Sequence, residues 1–283
     1  ISLVEQTFFS KVNGEILKLY FYKVRRAILI LWRIWFYLLA SIPIIFLFPI
    51  LVFILFLPNF YKYIFWIARN IWSPVILYGM GFWLEIKYKE QIDNNQQYMF
   101  VANHTSYIDP FVMLRIFKKP FVFVGKKELV KIPLFGYIYK RAAIMVDRSS
   151  SKSRYGVYGR ADNVLEKGYN VCIFPEKDYF DETILLNPFK QGAFKIAIFH
   201  QFPIIPMVFF DCKRKQPWYT THGYPGRLRV NVYPSVRTNG MSETDIPKLQ
   251  NTIYKLIDSE LRKDPERSAL KAIDTWKRIN KLS

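Results

Sequence analysis

The stretch Tyr98-Met99-Phe100-Val101-Ala102-Asn103-His104-Thr105-Ser106-Tyr107-Ile108-Asp109-Pro110 sets the fold class. Its first five residues are an apolar, strand-like run, and Asn103 breaks it just before a histidine. Asp109-Pro110 reads as a helix start, because Asp caps free backbone N–H groups and Pro fits the first helical position. His104 then lies in a strand-to-helix connection, where reactive groups usually sit on a rigid scaffold. Two readings of His104 and Asp109 follow. They are a general base with its carboxylate partner, or a helix cap beside a loop histidine.

Outward from this stretch the pattern repeats. Candidate strands are 98–102, 121–125, 142–146, 169–174, 204–210 and 228–233, and candidate helices are 110–117, 126–129 continuing near 135–139, 153–166 and 189–199. The alternation predicts an α/β fold with a mixed, largely parallel sheet flanked by helices. Pro206 within 204–210 marks an edge or a bulge. The charged, helix-periodic tail from Glu243 to Lys281 predicts one or two surface helices.

The N-terminal part differs in kind. Between Ala27 and Leu57 the only charge is Arg33, among Leu, Ile, Phe and Trp. The run exceeds the ~20 residues that cross a bilayer, and Ser41, Pro43 and Pro49 interrupt it. It fits one tilted or kinked helix, or two shorter helices turning near Pro43 or Pro49. Its length and the lack of a small-residue cleavage site argue against a signal peptide. Lys18, Lys23, Arg25 and Arg26 precede it and Lys62 and Arg69 follow, which suits an anchor whose ends share one face of the membrane. The aromatic-rich residues 60–84 read as one or two interfacial helices. The division expected is therefore a membrane-associated helical region, residues 1–84, and a catalytic α/β domain, residues 85–283.

A formal charge of +19, with 51% apolar and 18% aromatic residues, favours anionic partners and a membrane surface. No nucleic-acid-binding motif is present. Cys172 and Cys212, the only cysteines, make neither a disulfide framework nor a zinc site, and no metal is expected. Charge and aromatic content alone would also fit a non-enzymatic binder of anionic lipid or nucleic acid, although the Ala27–Leu57 run has no place in a soluble binder.

Three more stretches follow strands. Gly125-Lys126-Lys127-Glu128-Leu129 puts lysines at an expected helix start, either as a phosphate site or as a solvated basic end. Phe174-Pro175-Glu176-Lys177 ends a strand with a carboxylate, which either binds a hydroxyl-bearing substrate or pairs with Lys126 or Lys127. Ile205-Pro206-Met207 lies in a core strand. Together with His104 and Asp109, and with Ile132-Pro133-Leu134-Phe135-Gly136, these resemble the four sequence blocks of the glycerolipid acyltransferases, in particular the bacterial 1-acylglycerol-3-phosphate acyltransferases. The resemblance covers about residues 98–240.

That resemblance implies acyl transfer from a thioester, on coenzyme A or acyl carrier protein, to the 2-hydroxyl of lysophosphatidic acid. His104 would be the base and Asp109 its orienting partner. Gly125, Lys126 and Glu176 would belong to the acceptor site, with no cofactor beyond the thioester co-substrate. It implies a bacterial inner-membrane protein with its catalytic domain on the cytoplasmic face, contacting membrane lipids. The sequence departs from the pattern after Glu176, where Lys177 replaces the usual Gly and the expected Arg gives way to Asp178-Tyr179-Phe180-Asp181-Glu182. Lys177 is a substitute phosphate ligand or a solvent-facing loop lysine. Lys190 and Arg148 are further substitutes. The departure bears on the acceptor, leaving open another lysophospholipid or an amino-acid lipid.

Overall fold

The computed structural model describes residues 3–146, 164–176, 181–220 and 222–280, with side chains from Tyr20 onward. The expected helix 153–166 falls almost entirely outside these residues, as do Arg148 and Lys177.

The strands are β1 (Phe82–Tyr88), β2 (Met99–Ala102), β3 (Phe121–Lys126), β4 (Ile144–Val146), β5 (Asn170–Ile173), β6 (Ile204–Phe209) and β7 (Gly226–Val232). They form one sheet in the order β1-β7-β6-β2-β5-β3-β4. All neighbours run parallel except β6 and β7. The sheet is thus mixed and largely parallel, as the alternating pattern predicts.

In β2 the side chains alternate between two cores. Met99 and Val101 pack with Val171, Phe194 and Ile253. Phe100 and Ala102 pack with Val112, Ile205 and Leu77 on the other face. Both faces are covered, so β2, β5 and β6 read as continuous apolar runs.

The helices are α1 (Leu3–Ile54), α2 (Phe60–Ile67), α3 (Ser73–Gly79), α4 (Asp109–Ile116), α5 (Phe135–Ala142), α6 (Gly192–Phe199), α7 (Cys212–Lys215), α8 (Ile246–Arg262) and α9 (Ser268–Ile279). A π turn at Ala68–Trp72 joins α2 to α3. The two tail helices match expectation. In α8, Ile246, Leu249, Ile253, Ile257 and Leu261 recur every three to four residues and are buried.

The N-terminal apolar segment is a single helix. Pro43 and Pro49 lie inside it without ending it, and the chain turns at residues 55–59, where Asn59 adopts a left-handed conformation. The residues from Tyr20 to Ile54 are long and apolar enough to cross a membrane. Trp35, Phe46, Phe53 and Phe56 are exposed, whereas Phe36 packs into the core that holds Phe100 and Val112. Arg69, one of the basic flanks, turns inward and donates to the Phe117 carbonyl at 2.8 Å.

Five expectations need correction. β1 begins at Phe82, inside the stretch read as interfacial helix, and crosses the expected division at residue 84. Its alternation of Phe82, Leu84, Ile86 and Tyr88 with Trp83, Glu85 and Lys87 was obscured by the aromatic run before it. Lys126 closes β3 rather than opening a helix, and a 3₁₀ turn follows at Lys127–Lys131. Ala142 ends α5, so β4 starts only at Ile144, and α6 starts at Gly192 rather than Phe189.

Finally, Pro206 lies in an interior strand. Its carbonyl accepts from Tyr233 N at 2.9 Å, so its nitrogen faces the β7 side. There the β7 ladder has ended at Val232 and pairing resumes only at the Ile204–Val236 bridge. The missing N–H falls in that gap.

Replacing Ile253, fully buried on α8, with Ala should lower the unfolding free energy by about 2–5 kcal/mol. Lys255→Ala, on the exposed side of the same helix, should stay within about 0.5 kcal/mol. Urea unfolding in detergent measures both.

Candidate active site

β2, β5 and β3 are neighbouring parallel strands, so their carboxyl ends open on one edge of the sheet, where α/β proteins place ligands. As the chain leaves β2, the Asn103 side chain takes the place of a further strand residue. It accepts from Phe209 N at 2.8 Å and donates to the Phe209 carbonyl at 3.0 Å. This pins the backbone one residue before His104.

Asp109 has no exposed surface. Its Oδ2 accepts from Thr105 N at 2.7 Å and Ser106 N at 2.8 Å, and lies 2.9 Å from His104 Nδ1. A buried carboxylate needs such donors, and here the loop it terminates supplies them. Asp109 is the first residue of α4 and makes no capping bond to that helix's own N–H groups, so the helix-cap reading is corrected: the carboxylate holds the loop before it and the imidazole instead. With Nδ1 donating to the carboxylate, the opposite nitrogen, Nε2, is the proton acceptor. The Cys212 thiol faces the same carboxylate, and burial and that charge push it well up.

The ring of His104 is held on two sides. Phe174 stacks on it with centroids 4.4 Å apart and planes 18° apart, and Trp218 meets it edge to face at 5.3 Å. Its side chain keeps 15% exposure, enough to meet a substrate. Trp218 also packs at 4.4 Å against Tyr107, within the loop.

Glu176 lies beside His104 but faces inward. Its Oε1 accepts from His104 N at 2.5 Å, and its Oε2 accepts from Asn187 N at 3.0 Å and Asn187 Nδ2 at 3.2 Å. It is 1% exposed, and burial raises its carboxyl above the usual range. Neither lysine partner expected for it appears among these bonds. Lys213, also buried, donates to the Ile184 carbonyl at 2.8 Å and sits 3.6 Å from Glu182. Burial lowers its ammonium, against the charges of Glu182 and Glu176.

Gly125 and Lys126 end β3, on the far side of β5 from His104. An alanine Cβ at 125 would come within 2.0 Å of the Tyr139 hydroxyl, so the glycine lets α5 approach β3. Lys126 is half-buried at the mouth of the same edge. The structure therefore joins His104, Asp109 and Glu176 directly, and leaves Gly125 and Lys126 one strand further on, at the end of β3. Among the described residues, no three His, Cys, Asp or Glu side chains gather as metal ligands.

A family profile described as Acyltransferase matches residues 84–210, which include both elements of the His104–Asp109 pair. Over that stretch, somewhat under half of its length, the chain is similar to the acyltransferases. It is 31% identical to 1-acyl-sn-glycerol-3-phosphate acyltransferase alpha of Mus musculus over 183 residues, 62% of this chain and 62% of that relative. It is 27% identical to 1-acyl-sn-glycerol-3-phosphate acyltransferase of Cocos nucifera over 217 residues, 76% of this chain and 66% of that relative. The match thus spans about three fifths of the mouse protein's length. The crystal structure of the 1-acyl-sn-glycerophosphate (LPA) acyltransferase PlsC from Thermotoga maritima shares the fold. Its TM-score is 0.67 at 21% identity, covering 86% of this chain and 98% of that one.

Sequence reasoning about this domain missed Phe174 as a ring partner, Asn187, Cys212, Lys213 and Trp218. A local signal existed only for Phe174, which directly precedes the Pro175-Glu176 block.

The raised Glu176 carboxyl has a measurable consequence. The folded protein holds this proton to higher pH than the unfolded chain, so its contribution to stability falls as pH rises from the ordinary value of 4.5. Glu176→Gln removes that dependence. Unfolding free energies of both proteins across pH 4–8 should show wild type losing ground to the variant as pH rises, and a constant difference would contradict the assignment.

Proposed function

We propose that this chain is a membrane-associated O-acyltransferase that makes phosphatidic acid, a step of phospholipid biosynthesis. It would transfer an acyl group from coenzyme A or acyl carrier protein to the 2-hydroxyl of lysophosphatidic acid. The observation that carries the reading is the His104 Nδ1 to Asp109 Oδ2 contact of 2.9 Å, made to a fully buried carboxylate. The printed names of the relatives supply the substrate class.

In this reaction the acceptor hydroxyl oxygen attacks the thioester carbonyl while His104 Nε2 takes its proton. Asp109 stabilises the imidazolium that forms, and Phe174 and Trp218 keep the ring from turning. Collapse of the tetrahedral intermediate breaks the C–S bond, and the imidazolium returns the proton to the departing thiolate. The substrate supplies the nucleophile, so no acyl-enzyme forms.

Glu176 acts through His104 by holding its backbone N–H. Lys126 is the cation offered to the acceptor phosphate, with Lys177 a second. We place α1 in the bacterial inner membrane with the catalytic domain on the cytoplasmic face, a reading supported by its exposed apolar side chains and the basic residues Lys23, Arg25 and Arg26 before them.

A second acceptor reading has its own support, since no arginine follows Glu176 between residues 177 and 190. A single flexible lysine reads phosphate less selectively than a guanidinium fork, which favours acceptors such as another lysophospholipid or an amino-acid lipid.

Purified protein given labelled oleoyl-coenzyme A and lysophosphatidic acid should release free thiol and form labelled phosphatidic acid. His104→Ala and Asp109→Asn should each lower kcat by about 10²–10⁴-fold. Thiol release no faster than with His104→Ala, on every acceptor in a lysophospholipid and amino-acid-lipid panel, would refute acyl transfer. Product on acceptors lacking a phosphomonoester would select the second reading.

A further inference from the structure

Arg33 is the only charge between Ala27 and Leu57, yet it does not face outward with its neighbours. It is 6% exposed, and its Nη2 donates to the carbonyls of Pro217 at 2.6 Å and Tyr219 at 2.8 Å. These two carbonyls flank Trp218, the residue whose ring stands against His104.

Five further contacts fix the same assembly. The guanidinium lies 5.9 Å from the Tyr107 ring centroid, and Tyr107 packs on Trp218. Trp218 N donates to Glu182 at 3.3 Å. Gly223 passes so close to α1 that a Cβ there would lie 2.6 Å from the Trp32 ring. Ser106 Oγ, from the histidine loop itself, donates to the Gln216 carbonyl at 2.5 Å.

We propose that Arg33 is a positioning residue of the active site. Through the carbonyls of Pro217 and Tyr219, it holds Trp218 against His104. The apolar N-terminal helix is on this view a wall of the site as well as an anchor. A guanidinium suits the task, since its planar fork reaches two carbonyls from one rigid group and tolerates an aromatic face. Burying so costly a group on an apolar helix is sustained only by such bonds.

The kinetic half of this inference rests on the acyl-transfer reading, and the spectroscopic half does not. Full-length protein labelled with 5-fluorotryptophan gives a ¹⁹F resonance for residue 218, identified by its loss in Trp218→Phe. Arg33→Met, similar in length and apolar, should shift or broaden that resonance, and Arg33→Lys should restore it in part. An unchanged resonance in Arg33→Met overturns the proposal whatever the enzyme's substrate.

In mixed micelles, Arg33→Met and Trp218→Ala should each lower kcat by about 10²-fold, the cost of a misplaced catalytic group. KM for the lipid acceptor should change little. The double variant should be no slower than Trp218→Ala alone, because both substitutions act through one contact. Losses that multiply, or a change confined to KM, would assign Arg33 to anchoring instead. Absence of product from wild type in the same assay would count against the acyl-transfer reading, with the ¹⁹F result still deciding the role of Arg33.

Discussion

A carboxylate with no exposed surface, Asp109, organises the catalytic end of this molecule. One of its oxygens gathers two backbone N–H groups and a ring nitrogen, all from the five residues before it. Loop conformation and imidazole orientation thus follow from a single desolvated charge that has to be satisfied locally. The Asn103 side chain closes one end of the loop onto β6, and α4 closes the other. The histidine is placed by backbone geometry before any aromatic neighbour touches it.

Around that centre lies a second layer of buried charge. Glu176, Lys213 and Glu182 are each at most 4% exposed, and each ties one segment to another. Glu176 joins the histidine loop to Asn187, Lys213 joins α7 to Ile184, and Glu182 reaches Trp218 N. Removing either member of such a pair leaves its partner charged and desolvated. Glu176 is therefore a brace of the histidine loop, with both its oxygens already engaged by the protein.

The spacing in the sequence made the histidine, its carboxylate and most of the sheet legible because each is a local pattern. A strand has a period of two, a helix start has Asp-Pro, and the pair is separated by one short loop. β1 was lost because its alternation begins inside an aromatic run whose composition resembles an interfacial helix. Glu176 was legible as a position and illegible as a role, since only the fold shows which donors reach its oxygens. Trp218 and Cys212 carried no signal of a place in the site, and Arg33 stood out only as the one charge of an apolar run. Their meaning comes from segments that meet only after folding, and Trp218 sits in an unremarkable turn while Arg33 reads as an impurity in an apolar helix.

The contact between Arg33 and the Pro217 carbonyl joins residues 184 positions apart. Non-local contacts of this kind form late, after the loops they close have been ordered. During synthesis the apolar helix emerges early, and β1 then waits for β7, its one strand partner among the described residues. The wall beside the histidine is completed only when residues 217–219 have left the ribosome and docked on a helix made long before. A nascent chain in which the histidine loop has already formed would thus still lack Trp218 beside the ring, and maturation of the site would coincide with closure of the whole domain onto its first helix.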